Sequence, residues 1–146
     1  EPLDLVILGL SGSESQSSAY SQALVGSYLP ERDVYQALGF VNLRRQNPAT
    51  GNLFAEDLCS LLGKERTVPP KNVEIGTKEP EVYVTPNVVI EVRAMNIDRG
   101  KDFACSVDGK TFYSLRIAYL RSIREDKTAR QATTTEFVAA YHRQQR

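Results

Sequence analysis

The chain has 146 residues, of which 41% are hydrophobic and 25% charged, and its 18 basic and 18 acidic side chains balance to a formal net charge of zero. These values predict one globular domain with a single core, and they argue against a protein that binds nucleic acid through its overall charge. No apolar run approaches the roughly 20 residues that span a bilayer, and the N-terminus lacks a signal pattern, so we expect an intracellular protein without a membrane partner.

The charge is unevenly distributed along the chain. Residues 110–146 contain eight Lys and Arg against three Asp and Glu, whereas residues 1–109 contain ten against fifteen. The affinity of a protein for nucleic acid depends on the number of phosphates that it contacts rather than on its net charge. A local stripe of basic residues can therefore still bind a phosphate backbone. Because the chain begins at Glu1 and Pro2 without Met, we also expect it to be a piece of a longer protein.

Three strands open the chain. Residues 3–9 form an apolar run that predicts a strand buried on both faces, and the small polar residues of 9–18 predict a flexible connection. Residues 20–29 and 34–43 are two further strand-length runs, and the Pro-containing link 30–33 between them predicts a hairpin. Together these segments indicate an antiparallel meander.

A short helix is predicted next. Asn52 is suited to an N-cap, Gly63 is placed to end the helix, and apolar residues recur between them at helical spacing. The apolar positions are Phe54, Leu58, Leu61 and Leu62. A helix after the third strand is what plugs the open end of an OB barrel. Residues 64–78 show no periodicity and contain Pro69 and Pro70, which predicts a loop without regular structure.

The second half of the chain again indicates strands. We predict strands over 82–84 and 88–97, a turn at 98–101, and a short strand over 103–107 before the hairpin dipeptide Asp108-Gly109. The last predicted strand starts at Ser114 and alternates two sets of side chains. One set is Leu115, Ile117 and Tyr119, and the other is Arg116, Ala118 and Leu120.

A final helix is predicted from the pattern Thr133-x-x-Glu136, a capping box, with Phe137 and Tyr141 stacked one turn apart. His142 lies at the end of this helix, where a cation complements the helix dipole, so we expect a structural role for it.

Several kinds of chemical site are not supported. One His and two distant cysteines, Cys59 and Cys105, cannot form a zinc site, so no metal site is predicted. We expect both cysteines to be buried free thiols, one in a helix and one in a strand. Neither a nucleophile–base pair nor a glycine-rich phosphate loop is present.

The last strand leads into a charged turn, Arg124-Glu125-Asp126-Lys127. An Arg fork and a Lys ammonium both suit phosphate oxygens, and the Asp between them can fix one of them by a charge-assisted hydrogen bond. The pattern therefore predicts a phosphate-handling site at the rim of a sheet. A solvated charged turn is the alternative that composition alone favours.

Three segments resemble, in order, the ATP-dependent DNA ligases. LDLVILG at 3–9 is similar to the strand that opens their OB-fold domain, and the Glu79 to Val92 stretch, EPEVYVTPNVVIEV, resembles their P-D-V-W/Y…P…V-x-E-V segment. SLR at 114–116, REDK at 124–127 and ATT at 132–134 resemble the end of the ligases, whose last nucleotidyltransferase motif is R-x-D-K. The resemblance spans residues 1–146, loosely between 12 and 78.

The resemblance implies a mainly β fold: a five-stranded OB-fold Greek-key barrel over residues 1–146, with one helix plugging the barrel and a short C-terminal helix. It implies that Arg124 and Lys127 contact the β and γ phosphates of ATP, that Asp126 positions them, and that these three residues assist lysine adenylation. The family's lysine motif K-x-D-G is absent from the sequence. The chain should therefore be inactive alone, with ATP and Mg²⁺ bound mainly by an adenylation domain of the same parent chain.

The implied second role is to clamp nicked double-stranded DNA during phosphodiester bond formation, in DNA repair or replication. Ligases usually carry an aromatic-Pro-Arg after SLR, whereas this chain has Ile117-Ala118-Tyr119, and its 9–18 loop has no basic residue. Arg116 and Arg121 are then the nearest basic candidates for contacts with the DNA backbone. The ligase subtype stays open, and a nuclear location is expected if the source is eukaryotic.

Two other functions remain open. One is a non-catalytic OB module that binds single-stranded nucleic acid; the lack of Trp and the few aromatic residues flanked by basic ones count against it. The other is the OB domain of an RNA ligase or mRNA capping enzyme, and the Ala-Thr-Thr triplet after REDK favours the DNA ligases over it.

Overall fold

The computed structural model describes residues 2–13 and 20–145, and about half of the chain lies in helices and strands. The strands are β1 (Leu3–Ser11), β2 (Gln22–Leu29), β3 (Val34–Asn42), β4 (Val73–Glu74), β5 (Val82–Tyr83), β6 (Val89–Arg99) and β7 (Tyr113–Ile123). The helices are α1 (Phe54–Cys59) and α2 (Thr135–Gln144), with a 3-10 turn at Ala129–Gln131. Within the described ranges, no helix is both long and apolar enough to span a bilayer. Most of the connection predicted for 9–18 lies outside the described residues.

The long strands close into a barrel. β1 pairs antiparallel with β2 and with β6, β2 pairs with β3, and β6 pairs with β7. The ring closes where β3 runs parallel to β7, with Asn42 opposite Tyr119. Among the described residues this gives a five-stranded barrel in the order β1-β2-β3-β7-β6, with α1 following β3. This arrangement is an OB-fold, as predicted.

The barrel interior is filled by alternate side chains of the strands and by both helices. Phe54 and Leu58 of α1 and Val138 of α2 are fully buried in the same core as Leu5, Val25 and other strand residues. The side chain of Gln145 bonds both backbone groups of Ile97, accepting from its N–H at 2.7 Å and donating to its carbonyl at 2.8 Å. The two short helices therefore belong to the core of the domain.

A second apolar cluster covers the outside of the first strands. Val6 and Leu8 of β1 face outward from the core and pack with residues that follow later in the chain. Those later residues are Val73, Ile75, Tyr83, Val89, Phe103, Ala129 and Ala132. The prediction that β1 is buried on both faces is therefore confirmed.

The first helix is shorter than predicted. Its N-cap is Leu53 rather than Asn52, and the Leu53 N–H donates to the Glu56 side chain at 3.0 Å. The Asn52 amide instead donates to Asp57 at 3.1 Å, which holds the preceding loop against the helix. α1 ends at Cys59, so Leu61 and Leu62 lie in the turn that follows it.

The segment 64–78 contains regular structure that the sequence pattern did not predict. It includes β4, which runs parallel to β3 with Val73 opposite Tyr35. Arg66 also exchanges two backbone hydrogen bonds with Tyr83, at 2.7 and 2.8 Å. A strand of two residues is too short to show any periodicity, which explains why the sequence pattern missed it.

Two predictions in the second half also need correction. β6 continues through Arg99, so the predicted turn begins two residues later than expected. Residues 103–107 form only isolated bridges, Gly76 with Phe103 and Cys105 with Tyr113, rather than a strand.

The cap of α2 is displaced by one residue from the prediction. Thr134, not Thr133, is the N-cap, and its hydroxyl accepts from the Phe137 N–H at 3.1 Å. Phe137 and Tyr141 do meet, with ring centroids 6.4 Å apart. His142 lies in the last turn with its ring 5.2 Å from that of Tyr113, which agrees with a structural role.

The two cysteines differ in exposure. Cys105 is buried beside the hydroxyl of Ser27 at 3.4 Å, and burial raises the pKa of its thiol to about 12. Cys59 is exposed, so the prediction that both thiols are buried was wrong. Cys59 is the last residue of α1, next to the buried Leu58 and on the side that faces solvent.

This difference predicts the outcome of thiol labelling. A thiol-specific reagent should modify one cysteine per folded chain at neutral pH, because Cys59 is exposed and Cys105 is buried with its pKa raised. Cys59→Ser should abolish the fast reaction, and the second thiol should react only after unfolding. Two fast thiols in the native wild-type chain would contradict the described packing.

Candidate functional site

The predicted site residues lie in the turn that follows β7. The Arg124 N–H bonds to the Val89 carbonyl at 2.8 Å, and the Lys127 N–H bonds to the Arg124 carbonyl at 3.2 Å. The turn is thus fastened to the beginning of β6 and closed on itself. Its side chains stand at the rim of the barrel, as the sequence predicted.

Arg124, Asp126 and Lys127 meet a fourth residue, Asp4, that sequence reasoning missed. The Arg124 guanidinium binds Asp126 through two hydrogen bonds, Nε to Oδ1 at 3.0 Å and Nη2 to Oδ2 at 2.9 Å. Asp4 Oδ1 lies 3.2 Å from Arg124 Nη1, and Asp4 Oδ2 lies 2.7 Å from Lys127 Nζ. We call these four residues the ion quartet. Its charges balance, two cations against two carboxylates.

The ion quartet has an inner and an outer side. Side-chain exposure is 18% for Asp4, 29% for Arg124 and 30% for Lys127, but 66% for Asp126. Asp4 therefore lies beneath the two cations, and Asp126 lies toward solvent. A carboxylate that is largely withdrawn from water requires such partners, because an unpaired buried charge is strongly unfavourable.

The main chain of Asp4 is held on both sides. In β1, Asp4 is paired with Glu91 of β6. On the other side, the Thr133 N–H donates to the Asp4 carbonyl at 2.7 Å, and the Asp4 N–H donates to the Thr133 hydroxyl at 2.8 Å. Three segments that are far apart in sequence, β1, the turn after β7 and the Ala-Thr-Thr triplet, thus converge on one aspartate.

The bidentate pair fixes the charge state of the outer members. Hydrogen bonding to the Arg124 guanidinium is the main cause that lowers the pKa of Asp126 to about 2. The same bond is the main cause that raises the pKa of Arg124 above its ordinary value. Both groups are therefore charged throughout the neutral range.

Arg124 and Lys127 have N–H donors that no other described residue takes. A Lys ammonium has three N–H groups and an Arg guanidinium five. One of the Lys127 donors and three of the Arg124 donors are used within the ion quartet. Both side chains also line a cavity of about 210 Å³, together with Asn87, Val88 and other residues. The arrangement can therefore bind phosphate oxygens through charge-assisted hydrogen bonds.

The two other candidate residues lie on β7. Arg121 is exposed and lines a cavity of about 260 Å³ with Arg45 and Tyr119. The Arg45 guanidinium lies 4.5 Å from the centroid of the Tyr119 ring, a cation–π contact that sequence reasoning did not foresee. Arg116 is farther along the strand and pairs loosely with Asp98 at 3.9 Å. Arg121 thus shares a cavity with Arg45 and not with Arg116.

The predicted alternation along β7 fails at Ile117. This residue has φ of 51°, in the left-handed region that β-branched side chains rarely adopt. Leu115 and Tyr119 are partly buried, whereas Ile117 is exposed, so the three do not share one face. A one-residue change of backbone conformation reverses the face of the side chain, and composition gives no sign of it.

Comparison with known proteins places this geometry in context. No protein-family model matches the chain. Curated relatives match over its full length: a DNA ligase of Acidianus ambivalens is 27% identical over 99% of the chain, and a probable DNA ligase of Dictyoglomus thermophilum is 30% identical over 100% of it. DNA ligase 1 of Schizosaccharomyces pombe is 24% identical over 99% of the chain. The chain is homologous to part of the DNA ligases.

The chain spans only about a quarter of the length of these ligases: 24% of the Acidianus protein, 19% of the yeast protein and 25% of the Dictyoglomus protein. Solved ligase structures share the fold. The ligase domain of M. tuberculosis LigD matches 91% of this chain and 38% of its own with a TM-score of 0.58 at 22% identity. A mycobacterial DNA ligase D complexed with ATP and MES matches 92% of this chain and 38% of its own with a TM-score of 0.60 at 20% identity.

The ion quartet predicts an acid-resistant carboxylate. Asp126 should stay ionised down to pH near 2, so its favourable interaction with Arg124 is fully present above the ordinary pKa of 3.8 and is lost as the pH falls from there toward 2. Titration of the Asp126 carboxyl carbon by NMR measures this directly. In Arg124→Ala the pKa of Asp126 should rise, while that of Asp108, which is also lowered but by bonds within its own loop, should not change. An unchanged Asp126 titration in that variant would contradict the described pair.

Proposed function

We propose that the chain is the OB-fold domain of an ATP-dependent DNA ligase, which assists a separate adenylation domain in forming lysine-AMP and then helps to hold nicked duplex DNA. The observation that carries this proposal is the ion quartet. It presents an Arg and a Lys side by side at the barrel rim with donors still free. Homology to DNA ligases over the whole chain supports the assignment.

In the first step the lysine of the adenylation domain attacks the α phosphate of ATP, and pyrophosphate leaves. Such transfers depend on positioning and on neutralising the charge that develops on the leaving group. Arg124 and Lys127 would neutralise that negative charge by binding the β and γ phosphate oxygens, and Asp126 would orient the guanidinium. ATP would be held mainly by the adenylation domain.

Mg²⁺ would also be bound mainly outside this chain. Within the described residues, no group of three or more His, Cys, Asp and Glu side chains could hold a metal ion. Both carboxylates of the ion quartet are occupied by Arg124 and Lys127, so their oxygens are poor candidates for a shared ion. The domain would therefore contribute only the cationic side chains of Arg124 and Lys127 to lysine adenylation. It would bring them to ATP for that step and move away afterwards, as a mobile domain can.

In the later steps the same domain would contact nicked double-stranded DNA. Arg121 and Arg45 lie in one shallow cavity and suit adjacent phosphates, while Arg116 offers a further contact along β7. Arg45 covers one face of the Tyr119 ring at 4.5 Å, so that face is not available to stack on a base. This favours backbone contact over the base stacking of a single-strand binding module. DNA repair or replication would be the process served, and a eukaryotic form would act in the nucleus.

The adenylation role is tested by supplying a ligase adenylation domain in trans. The chain should increase the rate of lysine-AMP formation, and Arg124→Ala and Lys127→Ala should each lower that rate by about 100-fold or more, since removing one preorganised charged donor costs about that much. Arg130→Ala is a matched control, because Arg130 is an exposed arginine paired with Asp33 at 3.0 Å, outside the ion quartet. Transfer of labelled AMP to the lysine is the measurement.

The adenylation role is wrong if the chain gives no increase in lysine-AMP, or if Arg124→Ala and Lys127→Ala both behave like Arg130→Ala. Each variant should first be checked for wild-type unfolding temperature, so that a loss of fold is not counted as a loss of function.

The DNA role is tested by the salt dependence of binding. Arg121→Ala and Arg45→Ala should weaken binding to a nicked duplex and reduce the slope of log affinity against log salt by about 0.9 for each phosphate that the variant no longer binds. Arg32→Ala is the control, since Arg32 pairs with Glu74 at 2.6 Å away from this cavity. Fluorescence anisotropy across a salt series gives the slopes. Equal slopes for all three variants would rule out this cavity as the DNA-binding surface.

A further inference from the structure

Asp4 has a distinct place in the ion quartet, because it contacts both cations. Each of its oxygens takes a different partner, Oδ1 taking Arg124 at 3.2 Å and Oδ2 taking Lys127 at 2.7 Å. The separation of the guanidinium and the ammonium is therefore set by the width of one carboxylate. Neither cation could shift without losing a charge-assisted hydrogen bond.

The main chain of Asp4 is fixed within the barrel. Its main chain is paired with Glu91 on one side and bonded twice to Thr133 on the other. Arg124 and Lys127 have long side chains with many rotamers, which would lose their order without a fixed partner. A rigid acid beneath two flexible bases is the arrangement that positions functional groups before a substrate arrives.

Asp126 cannot replace Asp4 in this role. It belongs to the same turn as the cations, it is mostly exposed, and its hydrogen bonds go to Arg124. Asp126 can therefore fix the orientation of the guanidinium but not the position of Lys127 relative to it. The link between the two cations runs through the first strand of the barrel.

We propose that Asp4 is a positioning residue for lysine adenylation: it holds Arg124 and Lys127 at a fixed spacing without itself touching ATP. This inference rests on the proposed function of the ion quartet. Asp4 takes one N–H of each cation, and Asp126 takes two more from Arg124. Two N–H groups therefore remain for a ligand on each cation. Phosphate can therefore bind without displacing Asp4.

The test uses the same adenylation assay with Asp4→Asn, which keeps the shape of the side chain and removes its charge. We expect the rate constant at saturating ATP to fall about 10-fold or more, because small errors in the placement of catalytic groups are costly. KM for ATP should change much less, since ATP is held by the other domain. Asp4→Glu, which keeps the charge, should recover part of the loss. Glu74→Gln is the matched control, an acid removed from an ion pair elsewhere on the barrel.

A double-mutant cycle separates positioning from a merely structural effect. Because Asp4 acts through both cations, Asp4→Asn should lower the rate by a smaller factor in the Lys127→Ala background than in the wild-type chain, and the part that remains should reflect Arg124. Full multiplication of the two effects, an unchanged rate in Asp4→Asn, or a faster rate in that variant would each overturn the proposal. If Lys127→Ala and Arg124→Ala are themselves without effect, the proposed function fails, and this inference fails with it. If those two variants lower the rate but Asp4→Asn does not, only this inference fails.

A second measurement needs no activity. The ammonium protons of Lys127 should give a slowly exchanging NMR signal in the wild-type chain, because the group is ion-paired at 2.7 Å and 30% exposed. Asp4→Asn should abolish that signal while the spectrum of the barrel core is unchanged. A Lys127 signal that persists in Asp4→Asn would show that Asp4 does not hold the ammonium, and the proposal would be wrong.

Discussion

The carboxylate of Asp4 joins the two ends of the chain, and the candidate site depends on it. Its partners Arg124 and Lys127 are 120 and 123 residues away in sequence. They reach Asp4 because β1 pairs with β6 and β6 pairs with β7, so the turn that leaves β7 must arrive beside the first strand. Assembly of the ion quartet therefore depends on the β1-β6-β7 order, and a barrel with a different order of these strands could not place the four charges together.

The long elements and the antiparallel meander of β1, β2 and β3 were predictable from the sequence, whereas the barrel-closing pair of β3 with β7 and the helix caps were not. The five long strands were recognisable because each is an alternating or continuous apolar run of eight or more residues, a pattern typical of buried strands. Of the two short strands, β5 lies within the predicted run 82–84, whereas β4 was missed because its two residues show no pattern of their own. The caps of both helices were misplaced by one residue: Thr133 and Thr134 are the same residue type, and Leu53 is a type that N-caps do not favour.

Part of the candidate site could be predicted because it is local in sequence, and the rest could not because it depends on contacts between distant segments. Arg124, Asp126 and Lys127 are adjacent, so a local pattern could identify them. Asp4 looked like an ordinary polar position in a buried strand, because nothing nearby in sequence indicates a partner in the last quarter of the chain. The buried polar cluster that fixes α2 was also invisible: Gln36 accepts from Thr135 at 2.9 Å and exchanges two hydrogen bonds with Ser106, at 3.0 and 3.1 Å. Such long-range pairs satisfy buried polar groups and help to select one packing of the helix on the barrel.

The balanced charge of the ion quartet affects how the domain meets its target. Two positive and two negative groups within a few ångströms produce a field that decays steeply, and dissolved ions weaken it further. A triphosphate at a distance would feel almost no pull toward this rim. Attraction begins only when the oxygens come within hydrogen-bonding range, so under the proposed function capture would rely on a covalent tether to the adenylation domain, which raises the local concentration. Contacts made in this way release readily, which would suit the proposed role of a domain that closes on ATP for one step and then withdraws.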